Sequence, residues 1–336
     1  MINKKTKFCK AAALLGAAVM MISALAGCGK NTKVVLTAGL KKNEVFRISS
    51  ASCVLPEVMV YLTNMQNQYE SVYGSQIWNA SDGQLSLEQE EREQVLTQLA
   101  RIKVMNLLAQ KKEVTLDDKE KERAAAAGRE YFTSLNSAEV TALNVTQDLI
   151  TKMYEEYALA EKVYQTIVEN VNPEVSDDEA RTITVDMIRV SDSAKASQVL
   201  GKAKEEGVDF ETLAQAESED QTVMQSFGKG EVSEELEKAA FNLGKDEISD
   251  VVESDGSYYI LKCISTFDEA QTKANKEKIV KQRQSEAFDT DYTAFEQTLV
   301  RQLNEELWDS VTMIHQDDVK TSSFFEVYQM YFQHQE

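Results

Sequence analysis

An apolar stripe with alternating steps of three and four residues, Ile150, Met153, Tyr157, Ala160, Tyr164, Ile167 and Val171, runs unbroken toward Pro173. This spacing puts all seven side chains on one face of a single long helix. Such a face is either one wall of a helical core or, if left open, a groove for another chain. Pro173 ends the pattern, because proline lacks a backbone donor and disfavours helical geometry in the residue before it. Pro56 is the only other proline, and thirteen glycines are spread over 336 residues. So few breakers exclude a collagen-like or low-complexity chain, argue against a loop-dense all-β fold and leave room for long helices. With 43% hydrophobic and 27% charged residues, the chain has material for one large core or two smaller ones.

Charge and chemistry narrow the function. The formal charge of −20 argues against a sequence-independent grip on nucleic acid, which needs clustered Lys and Arg facing phosphates. Two histidines and four cysteines leave little for a zinc or haem site, and no cofactor is expected. Both histidines, His315 and His334, sit close to the C-terminus, so a Ser/His/Asp or Cys/His triad is not expected.

The first thirty residues read as a secretory signal. Lys4, Lys5, Lys7 and Lys10 precede and flank an apolar run from Ala11 to Ala26 that is too short for a stable span. The run ends in Leu25-Ala26-Gly27-Cys28, which resembles a bacterial lipobox and implies cleavage before Cys28 and a diacylglycerol on its thiol. Each buried acyl methylene contributes about 0.8 kcal/mol, so two or three chains make a durable anchor. Removing four lysines takes the charge from −20 to about −24 for residues 28–336. A body this acidic is repelled by anionic lipid, so the acyl group has to hold it at the membrane. Cys9 leaves with the signal. Cys53 and Cys263 then remain, as a disulfide or as two buried thiols.

Past a small, polar linker, Val45-Phe46-Arg47-Ile48 reads as a short strand and Leu55 to Tyr73 as a helix. Ser86-Leu87-Glu88-Gln89 has capping-box spacing and opens a helix with Val95, Leu99, Ile102 and Met105 on one side. Thr115-Leu116-Asp117-Asp118 opens another helix, running through an alanine-rich stretch to about Phe132, and the long stripe follows. Beyond Pro173 and a second capping box at Ser176 the character changes. Thr182 to Val190 alternates with β-branched residues as a strand does. Ala194 to Glu206, Phe210 to Glu217 and Ser233 to Phe241 read as helices, and 251–264 as a hairpin turning at Ser254-Asp255-Gly256. From Asp268 some forty residues read as helix, with Phe288, Tyr292, Phe295, Leu299, Leu303 and Leu307 on one face. The aromatic tail Phe324 to Phe332 would be a sticky patch if exposed, so it is expected to dock on the N-terminal helices.

Residues 182–264 resemble the parvulin family of peptidyl-prolyl isomerases. The resemblance is carried by Phe210-Glu211-Thr212-Leu213-Ala214, Ser218-Glu219-Asp220 and Phe227-Gly228-Lys229-Gly230-Glu231-Val232. It continues through Glu237 to Leu243, Gly244-Lys245-Asp246-Glu247-Ile248-Ser249 and Tyr258-Tyr259-Ile260-Leu261-Lys262. With the helical flanks and the lipobox, the mature chain is similar to PrsA-type foldase lipoproteins, whose architecture is related to SurA. The resemblance implies an α+β fold, with a mainly helical chaperone domain formed by both chain ends and an inserted parvulin (PpiC-type) domain. The expected boundaries are a signal peptide at 1–27, a linker at 28–43, helical domain at 44–174, isomerase domain at 178–267 and returning helices at 268–336.

Three family features are altered. Met187 stands where the first strand carries a His, Tyr259 where the closing strand carries a second, and Gln221 to Ser226 replaces a longer glycine-rich loop. By position, the resemblance implies Asp220, Met187 and Tyr259 as the catalytic set, and Met224, Phe227, Val232, Leu236 and Phe241 as the proline pocket. Prolyl isomerisation breaks no covalent bond, and its barrier of roughly 20 kcal/mol comes from lost amide resonance. A site therefore needs only to bind the twisted amide better than the planar one, without nucleophile or metal. The expected function is that of an extracytoplasmic foldase for secreted proteins, held on the outer face of the cell membrane by lipid on Cys28. Its partners would be unfolded or partly folded secreted proteins, and a homodimer is compatible with this reading. A non-catalytic holdase is the alternative. A transporter's solute receptor would need two α/β lobes, which the helical flanks disfavour.

Overall fold

The computed structural model describes residues 39–80 and 86–333. The expected signal peptide, the expected lipidation position Cys28, Cys9, His334 and most of the expected linker lie outside the described residues. The chain divides into two compact units. One combines the residues up to 170 with 285–336, and the other is 171–284.

The first unit begins with strands β1 (Glu44–Ile48) and β2 (Ala51–Val54) and helix α1 (Leu55–Tyr73), with Pro56 in the first turn of α1, where its missing donor has no intrahelical role. Then come α2 (Leu87–Lys111), α3 (Asp118–Ser134), α4 (Ser137–Leu143) and α5 (Gln147–Val168). Reciprocal capping boxes open α2 at Ser86 and Gln89, α3 at Asp117 and Glu120, and α4 at Asn136 and Glu139. Gly128 lets α3 and α5 approach closely. A Cβ there would sit 2.3 Å from Thr151 Oγ1 and 2.9 Å from Thr151 Cα.

The second unit contains α6 (Asp177–Ala180), β3 (Thr182–Val190), α7 (Ser193–Ala203), α8 (Phe210–Glu217), β4 (Met224–Gly228), α9 (Glu234–Phe241), β5 (Val252–Ser254) and β6 (Ser257–Ser265). Its sheet is wholly antiparallel in the order β4-β3-β6-β5. The β5–β6 hairpin turns through Asp255 and Gly256, both at positive φ, as a two-residue turn requires. Strand alternation splits the apolar residues between two cores. Ile188, Val190 and Ile260 pack with α7 and α8. Ile183, Val185, Met187, Leu261 and Cys263 pack on the opposite face with Leu236 and Ala240 of α9. Ser176 caps α6, but Glu179 does not return to the cap. Its carboxylate accepts instead from Arg283 at 2.5 Å.

Helix α10 (Glu269–Glu296) leads back into the first unit, followed by β7 (Arg301–Leu303), α11 (Glu305–Asp309) and α12 (Phe324–Phe332). The helix read onward from Asp268 is therefore shorter than its apolar spacing suggests. Residues 301–303 leave the helix to pair with β1, satisfying the donors and acceptors on that strand's second edge. Leu299, Leu303 and Leu307 still pack on the core, from irregular backbone, a strand and a short helix.

The stripe of α5 is closed over rather than open. Phe324 stacks on Tyr154 with ring centroids 4.4 Å apart, Tyr328 packs edge-on to Tyr157, and Phe288 lies on Tyr164. Tyr154 donates its hydroxyl proton to the Phe324 carbonyl, and the Phe324 N–H donates to Asn64. This core also buries charge. Lys103, 1% exposed, lies 2.6 Å from both Glu57 and Glu156. Cys53 and Cys263 are free thiols buried in different units, and burial pushes both thiol pKa values up.

Candidate functional site

The second unit holds a cavity of about 300 Å³ on the sheet face covered by α9. Its floor is apolar. Met187 of β3 lies beside Leu261 of β6, with Phe227 of β4 and Leu236 of α9, and all four are buried. Val232 and Tyr259 are half-buried parts of the wall. The polar lining is Arg189, Asp220, Gln225, Ser233 and Asp255.

Strand geometry explains this grouping. Residues two apart share a face, so Met187 and Arg189 project together from β3, opposite Leu261 and Tyr259 on β6. Gln225 and Phe227 project the same way from β4. The segment after α8 is stapled to the end of β3. The Glu219 N–H donates to the Arg189 carbonyl at 2.8 Å, and the Ser218 hydroxyl accepts from the N–H groups of Arg189 and Asp220. Asp220 is thereby brought over Arg189, whose Nε donates to Asp220 Oδ1 at 2.8 Å. The charge-assisted bond to Asp220 pushes the Arg189 pKa up and keeps the guanidinium charged.

Six of the eight positions expected from the sequence meet at this cavity: Met187, Asp220, Phe227, Val232, Leu236 and Tyr259. Two do not line it. Met224 has the opposite strand parity to Phe227 and is 60% exposed. Phe241, at the last turn of α9, packs edge-on against Phe227 and under the Arg181 guanidinium, supporting the floor from outside. Met187 does not sit opposite Tyr259, because β6 places Leu261 there and Arg189 faces Tyr259. Arg189, Gln225, Ser233, Asp255 and Leu261 are lining residues that the sequence reading missed. For Arg189 the signal was its parity with Met187. Among the described residues no cluster of three His, Cys, Asp or Glu side chains is placed to hold a metal.

Residues 162–278 match the model of the PPIC-type PPIASE domain. The chain carries a parvulin domain. Over 165 residues it is 31% identical to the Foldase protein PrsA of Streptococcus pneumoniae strains Hungary19A-6 and CGSP14, an alignment covering 44% of this chain and 53% of theirs. The chain thus spans about half the length of the curated relatives it matches. Among solved structures, the peptidylprolyl isomerase PrsA of Bacillus cereus is 19% identical, with 72% of this chain and 91% of that one covered and a TM-score of 0.37. The foldase protein PrsA of Streptococcus pneumoniae strain Canada MDR_19A is 23% identical, with coverages of 73% and 92% and a TM-score of 0.29.

Proposed function

We propose that the chain is an extracytoplasmic foldase that binds unfolded secreted proteins and isomerises X-Pro bonds in the cavity of its parvulin domain. The observation that carries this reading is the cavity itself. Met187, Phe227, Leu236 and Leu261 make a dry floor for a pyrrolidine ring, and Arg189, Asp220 and Tyr259 stand where polar groups could meet the adjoining amide. Holding the ring while the acyl group turns favours the twisted amide over the planar one, and no covalent intermediate is needed. A protease-free prolyl-peptide exchange assay on the purified chain tests this. Acceleration over solvent is expected, and a solvent rate unchanged by Asp220→Ala would sink the catalytic claim.

A holdase without catalysis is the second reading, favoured by Met187, which is 7% exposed and belongs to the apolar core. In both readings the helical unit binds client chains. The stripe of α5 is occupied by the chain's own aromatics, so clients would use other surfaces, such as the cleft of about 490 Å³ between the start of α3 and Tyr331. The Arg181 side chain reaches the Thr266 carbonyl at 3.5 Å, so the cut ends left by deleting 182–264 lie within a side chain's reach and can be joined through a short linker. Loss of all suppression of client aggregation by that deletion would refute a client site in the helical unit.

Anchoring through Cys28 completes the proposal. Cys28→Ala should move the chain from the membrane fraction to the medium or periplasm, and unchanged partitioning would remove the lipid from the account.

A further inference from the structure

Twisting a prolyl amide moves electron density in a known direction. In the planar amide the nitrogen lone pair is delocalised into the carbonyl, and at the transition state it is localised on a pyramidal nitrogen. A hydrogen-bond donor aimed at that nitrogen therefore strengthens as the bond twists, and a donor aimed at the carbonyl oxygen weakens. Ionised Asp220 and Asp255 only accept, while Gln225, Ser233 and Tyr259 offer neutral donors. Arg189 is the one cation among the lining residues.

Its geometry suits the task. Arg189 leaves β3 on the same face as Met187, so its head stands beside the apolar floor rather than in open solvent. The side chain is 29% exposed, which leaves it reachable from the cavity. Nε is fixed by Asp220 at 2.8 Å, Nη1 makes a long contact to Ser257 at 3.5 Å and a loose ion pair with Glu219 at 3.9 Å, and Nη2 donates to no described residue. The guanidinium is thus held in one plane by a carboxylate, with donors to spare.

We propose that Arg189 is a catalytic residue of this cavity, donating through its free guanidinium edge to the imide nitrogen of the twisting X-Pro bond, with Asp220 as its positioning partner. No bond is made or broken and no proton is transferred, because the guanidinium remains charged throughout. The proposal rests on the isomerase reading above. It gives the site a donor that does not depend on the positions held by Met187 and Tyr259.

The test is exchange spectroscopy on a proline-containing peptide at subsaturating and saturating concentrations of the full chain and its variants. A charge-assisted donor used only at the transition state predicts that Arg189→Met lowers kcat about ten- to hundredfold while peptide Kd changes less than about threefold. Arg189→Lys keeps a cation and a partner for Asp220, and is expected to recover part of kcat. Asp220→Asn should lower kcat by a smaller factor, since the guanidinium survives but loses its brace. Wild-type acceleration retained in Arg189→Met would overturn the role of Arg189 and leave the isomerase reading standing, whereas a wild-type rate equal to solvent would overturn both. A loss confined to peptides with an acidic residue before the proline would also overturn it, because Arg189 would then be selecting substrate. If Arg189→Met unfolds the domain, the Arg189→Lys ratio decides: equal loss of kcat and of binding is the result of a structural role alone.

Discussion

Glu91 offers a quantitative check on the core of the helical unit. It lies on α2, is 1% exposed, and its Oε1 meets no hydrogen-bond donor. Burial alone pushes its pKa up from 4.5 to about 7. Below about pH 4.5 the carboxyl is protonated in both folded and unfolded chains and contributes nothing to pH dependence. Between about 4.5 and 7 the unfolded chain releases the proton and the folded chain retains it, so stability falls as pH rises. Above about 7 the native carboxylate is charged and the full penalty is present. A rise from 4.5 to about 7, at 1.36 kcal/mol per pH unit, sets that penalty at about 3 kcal/mol. Glu91→Gln keeps the shape and removes the charge. Relative to wild type it should gain about 2 kcal/mol between pH 5 and pH 8, a relative shift of about 1 M in urea midpoint for a slope near 2 kcal/mol/M. Comparing variant with wild type at each pH cancels the titration of all other groups. Both tryptophans, Trp78 and Trp308, are buried in the helical unit, so fluorescence follows that unit alone. A stability difference that is the same at pH 5 and pH 8 would show Glu91 to be solvated or paired in the native state and refute the reasoning.

Other substitutions probe the packing directly. Gly128→Ala gains helix propensity but drives a methyl into Thr151, and a net loss of about 1–3 kcal/mol is expected by urea unfolding. Lys103→Met strands Glu57 in the core, while Glu156 keeps Lys152, and should cost about 3–5 kcal/mol, much of it recovered when Glu57→Gln is added. Phe227→Ala opens the cavity floor, with an expected loss of about 3 kcal/mol in the parvulin unit and weaker peptide binding by titration. Cys53 and Cys263 should react with a thiol reagent only as fast as their units open, and labelling at the rate of an exposed thiol would contradict their burial.

Legibility in the sequence followed the range of the interactions. The helices were readable because their signals are local: capping-box spacing at Ser86 and a stripe with strict three-and-four spacing, while the start read at Thr115 falls two residues short of the cap that Asp117 supplies. The β5–β6 hairpin was readable from its Asp255-Gly256 turn. Strands β4 and β7 were not, because Met224–Gly228 and Arg301–Leu303 are strands only through the partners they meet. Beyond Leu299 a helical apolar period persisted by coincidence, and the unpaired edge of β1 overrode it. The same limit applies to the stripe of α5. Its periodicity fixed one face of a helix, but the Phe324 and Tyr328 rings that close it come from about 170 residues further along the chain.

The candidate site divides along the same line. Its apolar half could be carried over position by position, since a family's pocket residues keep their places in strands and helices, and Phe227, Val232 and Leu236 all line the cavity. Met224 failed because one residue of strand parity turns a side chain to the opposite face. The polar half depended on a loop that departs from the family. Asp220 matters less as an isolated carboxylate than as the partner of Arg189, and that pair exists only because Ser218 and Glu219 tie the loop to the end of β3. Once Met187 was assigned inward, the alternation of β3 required Arg189 to face inward as well. A cation two residues along a strand from an apolar floor is either exposed at its end or built into a site. Its ion pair with Asp220 and its place beside Tyr259 put it in the second class.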